Sequence, residues 1–431
     1  MKFYSTNSKN SLVDFKYALM KGLPSDNGLY MPREIPDHSK LIPGINNLGI
    51  KDISYVIAKS FLSEDFKNSE IEDIIDSAIS FDSPVVNISK NIHILELFHG
   101  PTLAFKDFGA RFMSKTMEKT VVNNNKALNI LVATSGDTGS AVADGFYNID
   151  GINVIILYPS KKVSYIQEKQ LTTLGKNIFS LEVDGSFDDC QNLVKKAFLD
   201  TTITKKINLS SANSINIARL IPQSFYYFNA FAKMNNPESL VISVPSGNFG
   251  NLTAGIMSKY MGLPIVKFIA STNANKTVPD FLINGYYSPS KTIQTISSAM
   301  DVGDPSNIKR IIDIYTDIEN ISEDIYSWSY SDDETKHAIS KVYSNYRYLL
   351  DPHSAVGYLG INNFVKNNKN CQGLFLGTAH PCKFSDIIEP IINEKIKIPE
   401  RIKSLLDKEN KSILLNNKYE EFSDYLLSNF E

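Results

Sequence analysis

The sequence predicts an α/β protein: open parallel sheets with helices on both faces, preceded by a small, mainly helical N-terminal domain. Two observations predict it. From residue 92 onward, short apolar runs alternate with helical segments in the order strand, glycine-bearing loop, helix, strand. The runs are continuous and rich in β-branched residues, as in strands covered on both faces. Residues 1–80 read instead as mainly helical. Alternation of the first kind makes neighbouring strands parallel, with helices as the crossovers. Ligands in such sheets bind beyond the carboxyl ends of the strands, so chemistry is sought in loops that directly follow a strand.

Taken in order, Val13 to Lys21 is amphipathic and stops at Gly22, a residue suited to the position after a helix. Asp26-Asn27-Gly28 is a turn, and Pro32 and Pro36 punctuate the loop after it. Helical patterns return at Asp52 to Leu62 and Ile71 to Ile79. Residues 1–80 are thus either a separate small domain or an extension wrapped on the main body. An apolar run, Ile92 to Phe98, leads into a loop, and a helix is expected from Asp107 to Val121. Strands are expected at Leu128–Ala133, Val154–Tyr158, Phe179–Val183, Leu240–Val244 and Val266–Ala270. Helices are expected between them at Ser140–Phe146, Ser164–Leu174, Asp188–Leu199, Ile221–Ala232 and Leu252–Tyr260. Residues 285–340 hold Gly285, Pro289 and Pro305 and then a polar, acidic helical pattern around Glu319 to Glu334; they are read as an inserted subdomain or a lid. A last strand, Gly373 to Leu376, precedes Gly377-Thr378-Ala379-His380-Pro381, and the tail from Glu389 is charged and helical.

Composition narrows the function classes. Of 431 residues, 42% are hydrophobic and 21% charged, an ordinary globular balance able to bury a large core. A formal charge of −3 offers no electrostatic attraction to nucleic acid or to an anionic membrane. Cys190, Cys371 and Cys382 match neither a disulfide framework nor a metal-ligand pattern, so no metal is expected and a reducing, cytoplasmic setting fits. The N-terminus has no apolar signal core and no stretch approaches ~18 apolar residues, so neither secretion nor membrane spanning is expected. Monomer and homodimer are both compatible with the sequence.

Five stretches carry candidate chemistry. Lys106 lies between Phe105 and Asp107 at the expected start of a helix. Apolar surroundings and the positive end of a helix both disfavour an ammonium, and a neutral amine can attack an aldehyde to form a Schiff base. The competing reading is a solvated lysine. After the strand at Leu240 comes Pro245-Ser246-Gly247-Asn248-Phe249-Gly250-Asn251, a loop opening onto a helix. Its backbone N–H groups can converge on a phosphate, or it can be an ordinary tight turn. It is neither a Walker loop nor G-x-G-x-x-G. Thr134-Ser135-Gly136-Asp137-Thr138-Gly139-Ser140 also opens a helix and suits a carboxylate, while Asp137 or Thr138 could simply cap it. Ser210 to Arg219 combines Asn and Ser with one arginine, either a second anion site or a polar loop with a surface Arg. Thr378 ends the last strand; its hydroxyl can hydrogen-bond a ring nitrogen without forcing it to protonate, or cap the next segment. His353 and His99 are read as structural.

Together these stretches resemble threonine synthase, in its bacterial and fungal branch. The resemblance rests on Gly28-Leu29-Tyr30-Met31-Pro32, on Gly100-Pro101-Thr102-Leu103-Ala104-Phe105-Lys106-Asp107-Phe108-Gly109, and on Thr134 to Gly139. It continues through Asn213-Ser214-Ile215-Asn216, Pro245 to Asn251 and Thr378-Ala379-His380-Pro381, in the family's order along nearly the whole chain. It implies the tryptophan-synthase-β group of pyridoxal-phosphate folds (PLP fold type II), with residues 81–431 forming a cofactor-binding body of two interleaved subdomains.

The resemblance also implies roles. Lys106 would be the catalytic Schiff-base lysine of pyridoxal 5′-phosphate. Ser246, Gly247, Asn248, Phe249, Gly250 and Asn251 would hold the cofactor's phosphate, and Thr378 would face its pyridine nitrogen. Ser135, Gly136, Asp137 and Thr138 would take the substrate carboxylate, and Asn213, Ser214 and Arg219 the substrate phosphate. The reaction implied is O-phospho-L-homoserine plus water to L-threonine plus phosphate, by γ-elimination and β-addition. Asp137 departs from the wider fold group, which often has Asn there beside the cofactor's phenolic oxygen. A carboxylate beside a phenolate is unfavourable unless one is protonated or Asp137 points elsewhere. Cys382 stands where a small residue is common. Two rival readings are a serine/threonine dehydratase-like lyase, which needs no Arg219, and a non-catalytic homologue that binds a phosphate ligand.

Overall fold

The pairing order of the strands decides which loops meet. In the computed structural model, which describes residues 1–121, 127–235 and 237–431, fourteen strands form three sheets. They are β1 (Phe3–Ser5), β2 (Ser8–Val13), β3 (Tyr30–Pro32), β4 (Val85–Ser89), β5 (Ile92–Glu96), β6 (Leu128–Ala133) and β7 (Ile152–Pro159). The remainder are β8 (Ile178–Asp184), β9 (Leu209–Ser211), β10 (Leu240–Pro245), β11 (Ile265–Thr272), β12 (Ile325–Ser329), β13 (Gln372–Gly377) and β14 (Ser412–Asn416).

One large sheet runs β12-β11-β10-β13-β5-β4, parallel throughout except for β4, which pairs antiparallel with β5. The other runs β14-β8-β7-β6-β9 and is wholly parallel. Strands β6 and β10 are buried at every residue. That is why their sequences are predominantly apolar, broken only by the buried Asn129 and Ser243, with no alternation to betray a solvent face.

In the first sheet β10, β13 and β5 are neighbours, so the loop 246–249, Thr378 and the loop before Lys106 leave the same edge side by side. In the second, β6 and β9 are neighbours, which places the loop 134–136 next to residues 212–216. Parallel pairing thus brings distant stretches of chain to one rim.

The expected strands and helices of the body all form, with ends shifted by a few residues. The departures are short strands. Residues 1–80 contain the antiparallel sheet β2-β1-β3 beside the helices Phe15–Lys21, Ile50–Leu62 and Asn68–Ala78. Strand β2 has no buried residue, so no apolar alternation announces it. Asp14 accepts the Tyr17 N–H at 2.7 Å and starts the first helix there, not at Val13. The acidic pattern around Glu319 to Glu334 is broken: helix Ile318–Asp324, then β12 on the edge of the large sheet, then helix Asp332–Tyr346. The tail from Glu389 likewise includes β14, an edge strand paired with β8.

Residues 1–80 share one core with the body. Phe3, Phe15 and Phe61 belong to the same apolar cluster as Phe108, Phe112 and Tyr226, all fully buried. Arg310, also fully buried, donates to the Tyr30 carbonyl at 3.0 and 3.2 Å and to the Ile215 carbonyl at 2.7 Å, tying the N-terminal region to the Asn213–Asn216 stretch. Among the described residues no helix is long and apolar enough to cross a membrane, and none of the described His, Cys, Asp and Glu side chains form a metal-binding group.

Candidate active site

The two rims enclose a cavity of about 470 Å³. Lys106 lines it from the first turn of helix Lys106–Val121. The approach to it is stiff. Leu103 adopts a left-handed φ of 62°, Ala104 bridges Ala379, the Phe105 N–H donates to the Thr378 carbonyl at 2.9 Å, and the His380 N–H donates to the Leu103 carbonyl at 3.0 Å. The lysine loop and the Thr378 loop are therefore stitched together by backbone. Burial lowers the Lys106 amine to about 8; Asp137 opposes that shift, while Arg219 and Lys383 reinforce it. The next residue, Asp107, turns away and accepts from the Thr102 N–H (2.9 Å) and hydroxyl (2.5 Å). Burial pushes its carboxyl up to about 7 in spite of those bonds.

The loop after β10 opens helix Gly250–Tyr260, with Phe249 in the left-handed region at φ 58°. Ser246, Gly247, Asn248, Phe249, Gly250 and Asn251 all line the cavity. Gly247 cannot carry a side chain: a Cβ there would lie 2.6 Å from the Met300 Cα and 3.0 Å from the Ala299 carbonyl oxygen. The Asn248 amide donates to the Ser214 hydroxyl at 2.5 Å and its carbonyl accepts the Ser306 N–H at 2.6 Å, joining three separate loops. Asn251 presents its side-chain oxygen to the Tyr226 and Tyr227 hydroxyls at 2.7 and 2.9 Å, and its side-chain nitrogen is buried without a partner.

On the opposite rim Ser135, Asp137 and Thr138 line the cavity and Gly136 does not. Gly136 instead provides the turn, with φ at 136° and room for a Cβ blocked by Gln167 at 2.4 Å. Neither Asp137 nor Thr138 caps the helix; the Thr134 hydroxyl does, accepting the N–H groups of Gly136 at 3.0 Å and Gly139 at 2.9 Å. Asp137 points at Lys383, 2.6 Å away, and accepts from Gln167 at 2.9 Å. Burial works against its ionisation, but the charges of Lys383 and Lys106 outweigh burial and hold the carboxyl well below its usual range. Asp137 is therefore a neutralised carboxylate turned to a lysine, which removes the difficulty a bare one would create.

Arg219 is buried, not at the surface, and lines the cavity beside Asn213 and Ser214. It donates to the Ala212 carbonyl at 2.6 Å, and its Nε is buried without a partner. Gly109 lets the lysine helix press against it, since a Cβ would meet Nε at 2.9 Å. Burial lowers its pKa to about 10, still far enough above neutrality to keep it a cation.

Sequence reasoning missed several contributors. Ser290, Thr292 and much of 298–306 form one wall, so part of the 285–340 stretch borders the cavity. Asp301 fastens that wall to the loop leaving β11 by accepting from Asn273, the residue after the strand (2.8 Å), and accepts from Thr295 as well (2.7 Å). His353 lines the cavity too: its Nε2 accepts the Ala299 N–H at 3.1 Å while Nδ1 faces Asp351 at 2.8 Å. The structural reading of His353 holds, but its contact across 54 residues has no local signal in the sequence. His99 pairs with Glu96 at 2.7 Å outside the cavity, and Cys382 is buried, its thiol pushed up to about 11 by burial. Lys383 had no signal beyond its place three residues after His380.

The donor set fits pyridoxal phosphate. A lysine with a lowered pKa shares the cavity with a loop whose Gly247 leaves no room for a side chain, and the orphaned buried donors of Asn251 and Arg219 belong to residues lining the same cavity.

Comparison with known proteins agrees. The family described as pyridoxal-phosphate dependent enzyme matches residues 84–373. The threonine synthase N terminus matches 2–79, and the threonine synthase C-terminal family 354–426. A threonine synthase of Buchnera aphidicola subsp. Acyrthosiphon pisum is 43% identical over 431 residues, covering 99% of this chain and 100% of that protein. The crystal structure of threonine synthase from Escherichia coli superposes with a TM-score of 0.92 at 40% identity, covering 99% of this chain and 100% of that one. The PLP-bound threonine synthase from Brucella melitensis gives 0.94 at 31% identity, with full coverage of both chains. With relatives matching end to end and the lysine, glycine-loop and threonine motifs gathered on one cavity, the chain belongs to the threonine synthase family of pyridoxal-phosphate-dependent enzymes.

Proposed function

We propose that the chain converts O-phospho-L-homoserine and water to L-threonine and phosphate, with Lys106 holding the cofactor and moving the protons. The observation that carries this reading is the cavity itself: one lowered-pKa lysine between an N–H-rich loop and a second set of anion donors around Arg219. When bound, the cofactor supplies an electrophilic aldehyde and an electron sink. This chain's residues do the rest. Backbone N–H groups of Gly247 to Asn251, at the positive end of helix Gly250–Tyr260, would cradle the cofactor's phosphate, with Ser246 at the loop's edge giving its own N–H to the Ser271 carbonyl at 2.8 Å. Thr378, which lines the cavity, would offer its hydroxyl to the ring nitrogen as a neutral partner. Ser135 and Thr138, at the helix start, take the substrate carboxylate, whereas Gly136 gives its N–H to the Thr134 hydroxyl and Asp137 is paired with Lys383; Asn213, Ser214 and Arg219 take the substrate phosphate and keep it as it leaves. The Lys106 amine removes the proton at the substrate's Cα and returns protons in the later steps.

Two anion sites at a fixed separation account for selectivity, because a substrate lacking either anion leaves buried donors unpaired. The same reading divides the chain into an N-terminal unit, 1–80, and a body, 81–431, and places the work in the cytoplasm by a monomer or homodimer. The test is an absorbance spectrum of the purified protein, then phosphate release and threonine formation on adding O-phospho-L-homoserine. A near-visible band without phosphate release would move the substrate elsewhere. No band after pyridoxal phosphate is supplied, or a Lys106→Ala variant with a tenth of the parent rate, would end the assignment of Lys106.

A further inference from the structure

Lys383 is 1% exposed and lies in the short turn Pro381–Phe384 after β13. Its ammonium is 2.6 Å from the Asp137 carboxylate and donates to the Thr102 carbonyl at 2.9 Å. Burying two charges is expensive, and a well-packed apolar pair of similar volume is often no less stable. Stability alone therefore does not explain the pair. Its position does. Asp137 lines the same cavity as Lys106, backbone bonds from Phe105 to Thr378 and from His380 to Leu103 join the lysine loop to the segment that carries Lys383, and the two charges act on the Lys106 amine with opposite signs. The other charge that faces the amine is Arg219, from helix Ile217–Leu220. Asp107, on the lysine's own helix, is engaged by Thr102. Among the described residues Lys106 makes no salt bridge, while the nearby carboxylate gives its pairing to Lys383.

We infer that Lys383 is a positioning residue: it holds the Asp137 carboxylate in a pair with itself, so that this carboxylate cannot capture Lys106 and fix it as an inert ammonium. Without Lys383, an uncompensated carboxylate beside Lys106 stabilises the protonated amine. Without Asp137, an uncompensated ammonium destabilises it. A merely structural loosening of the site would move Lys106 in one direction in both cases, by admitting water. The charge relay moves it in opposite directions. The inference deepens the reading of Lys106 as the cofactor lysine and rests on it.

The experiment uses the cofactor-free protein. Acetylation of Lys106 by acetic anhydride is followed by peptide mass spectrometry as a function of pH, and its titration midpoint is recorded. In Lys383→Met the midpoint is expected to rise by about 1–3 pH units, the range for gaining an uncompensated opposite charge nearby. In Asp137→Asn it is expected to fall, and in Lys383→Met/Asp137→Asn to return between the two. If Lys383→Met does not fold, the fall in Asp137→Asn and its reversal in the double variant still decide the matter. Midpoints that move the same way in both single variants, or do not move, overturn the inference. Pyridoxal phosphate should protect Lys106 from acetylation in the parent protein. Failure of protection sinks the cofactor assignment without touching the midpoints, so the two failures are distinguishable.

Discussion

Gly247→Ala probes the cofactor cradle through a single methyl group. Its Cβ would lie 2.6 Å from the Met300 Cα and 3.0 Å from the Ala299 carbonyl oxygen, both backbone atoms that no rotamer change can move. Relief requires displacing either the 298–300 turn or the loop 246–249. The turn is tethered: the Ala299 N–H donates to His353 Nε2 at 3.1 Å, and His353 is held in turn by Asp351 at 2.8 Å. The loop therefore gives way, and its N–H groups lose their aim at the phosphate. Overpacking of this kind costs about 1–3 kcal/mol. If the strain falls on the bound form, pyridoxal phosphate affinity drops about 5- to 150-fold, at 1.4 kcal/mol per tenfold. The assay is titration of cofactor-free protein with pyridoxal phosphate, read by absorbance. Gly44→Ala is the control, because nothing lies within 4 Å of the Cβ it would add. A dissociation constant for Gly247→Ala within twofold of the parent would refute the close-approach argument.

Three further outcomes are expected. Burial lowers Lys106 to about 8, so its amine is protonated below that pH and neutral above it. The rate of pyridoxal phosphate capture should accordingly rise about tenfold per pH unit below 8 and level off above it; a flat profile from pH 6 to 9 in stopped-flow absorbance contradicts the shift. Arg219→Ala should raise KM for O-phospho-L-homoserine at least tenfold while changing pyridoxal phosphate affinity far less; equal losses in both count against a substrate-phosphate role. Arg310→Met leaves the Tyr30 and Ile215 carbonyls and the Asn307 side-chain oxygen without their buried donor. Stability should fall by about 3 kcal/mol in urea unfolding, at roughly 1 kcal/mol per orphaned acceptor; a loss below about 1 kcal/mol would mean that water replaces the guanidinium.

Sequence alone determined the body's elements and the chemistry-bearing loops. Fully buried parallel strands such as β6 and β10 must be predominantly apolar, and the loops at 134–140 and 245–251 follow them directly. Glycine at 247 and 109, the lysine at a helix start and a threonine at a strand end are all local signals. The short edge strands β2, β12 and β14 were not legible, because two are mostly exposed and β12 follows an acidic helix with little apolar contrast. Only the tertiary structure decided the electrostatics. Asp137 and Lys383 are 246 positions apart in sequence and 2.6 Å apart in space, and no periodicity links them. The same holds for His353 and Ala299, and for Arg310 and Tyr30. Helix and strand propensity act over a few residues, whereas the charge of a buried group is decided by whichever distant side chain the fold places beside it.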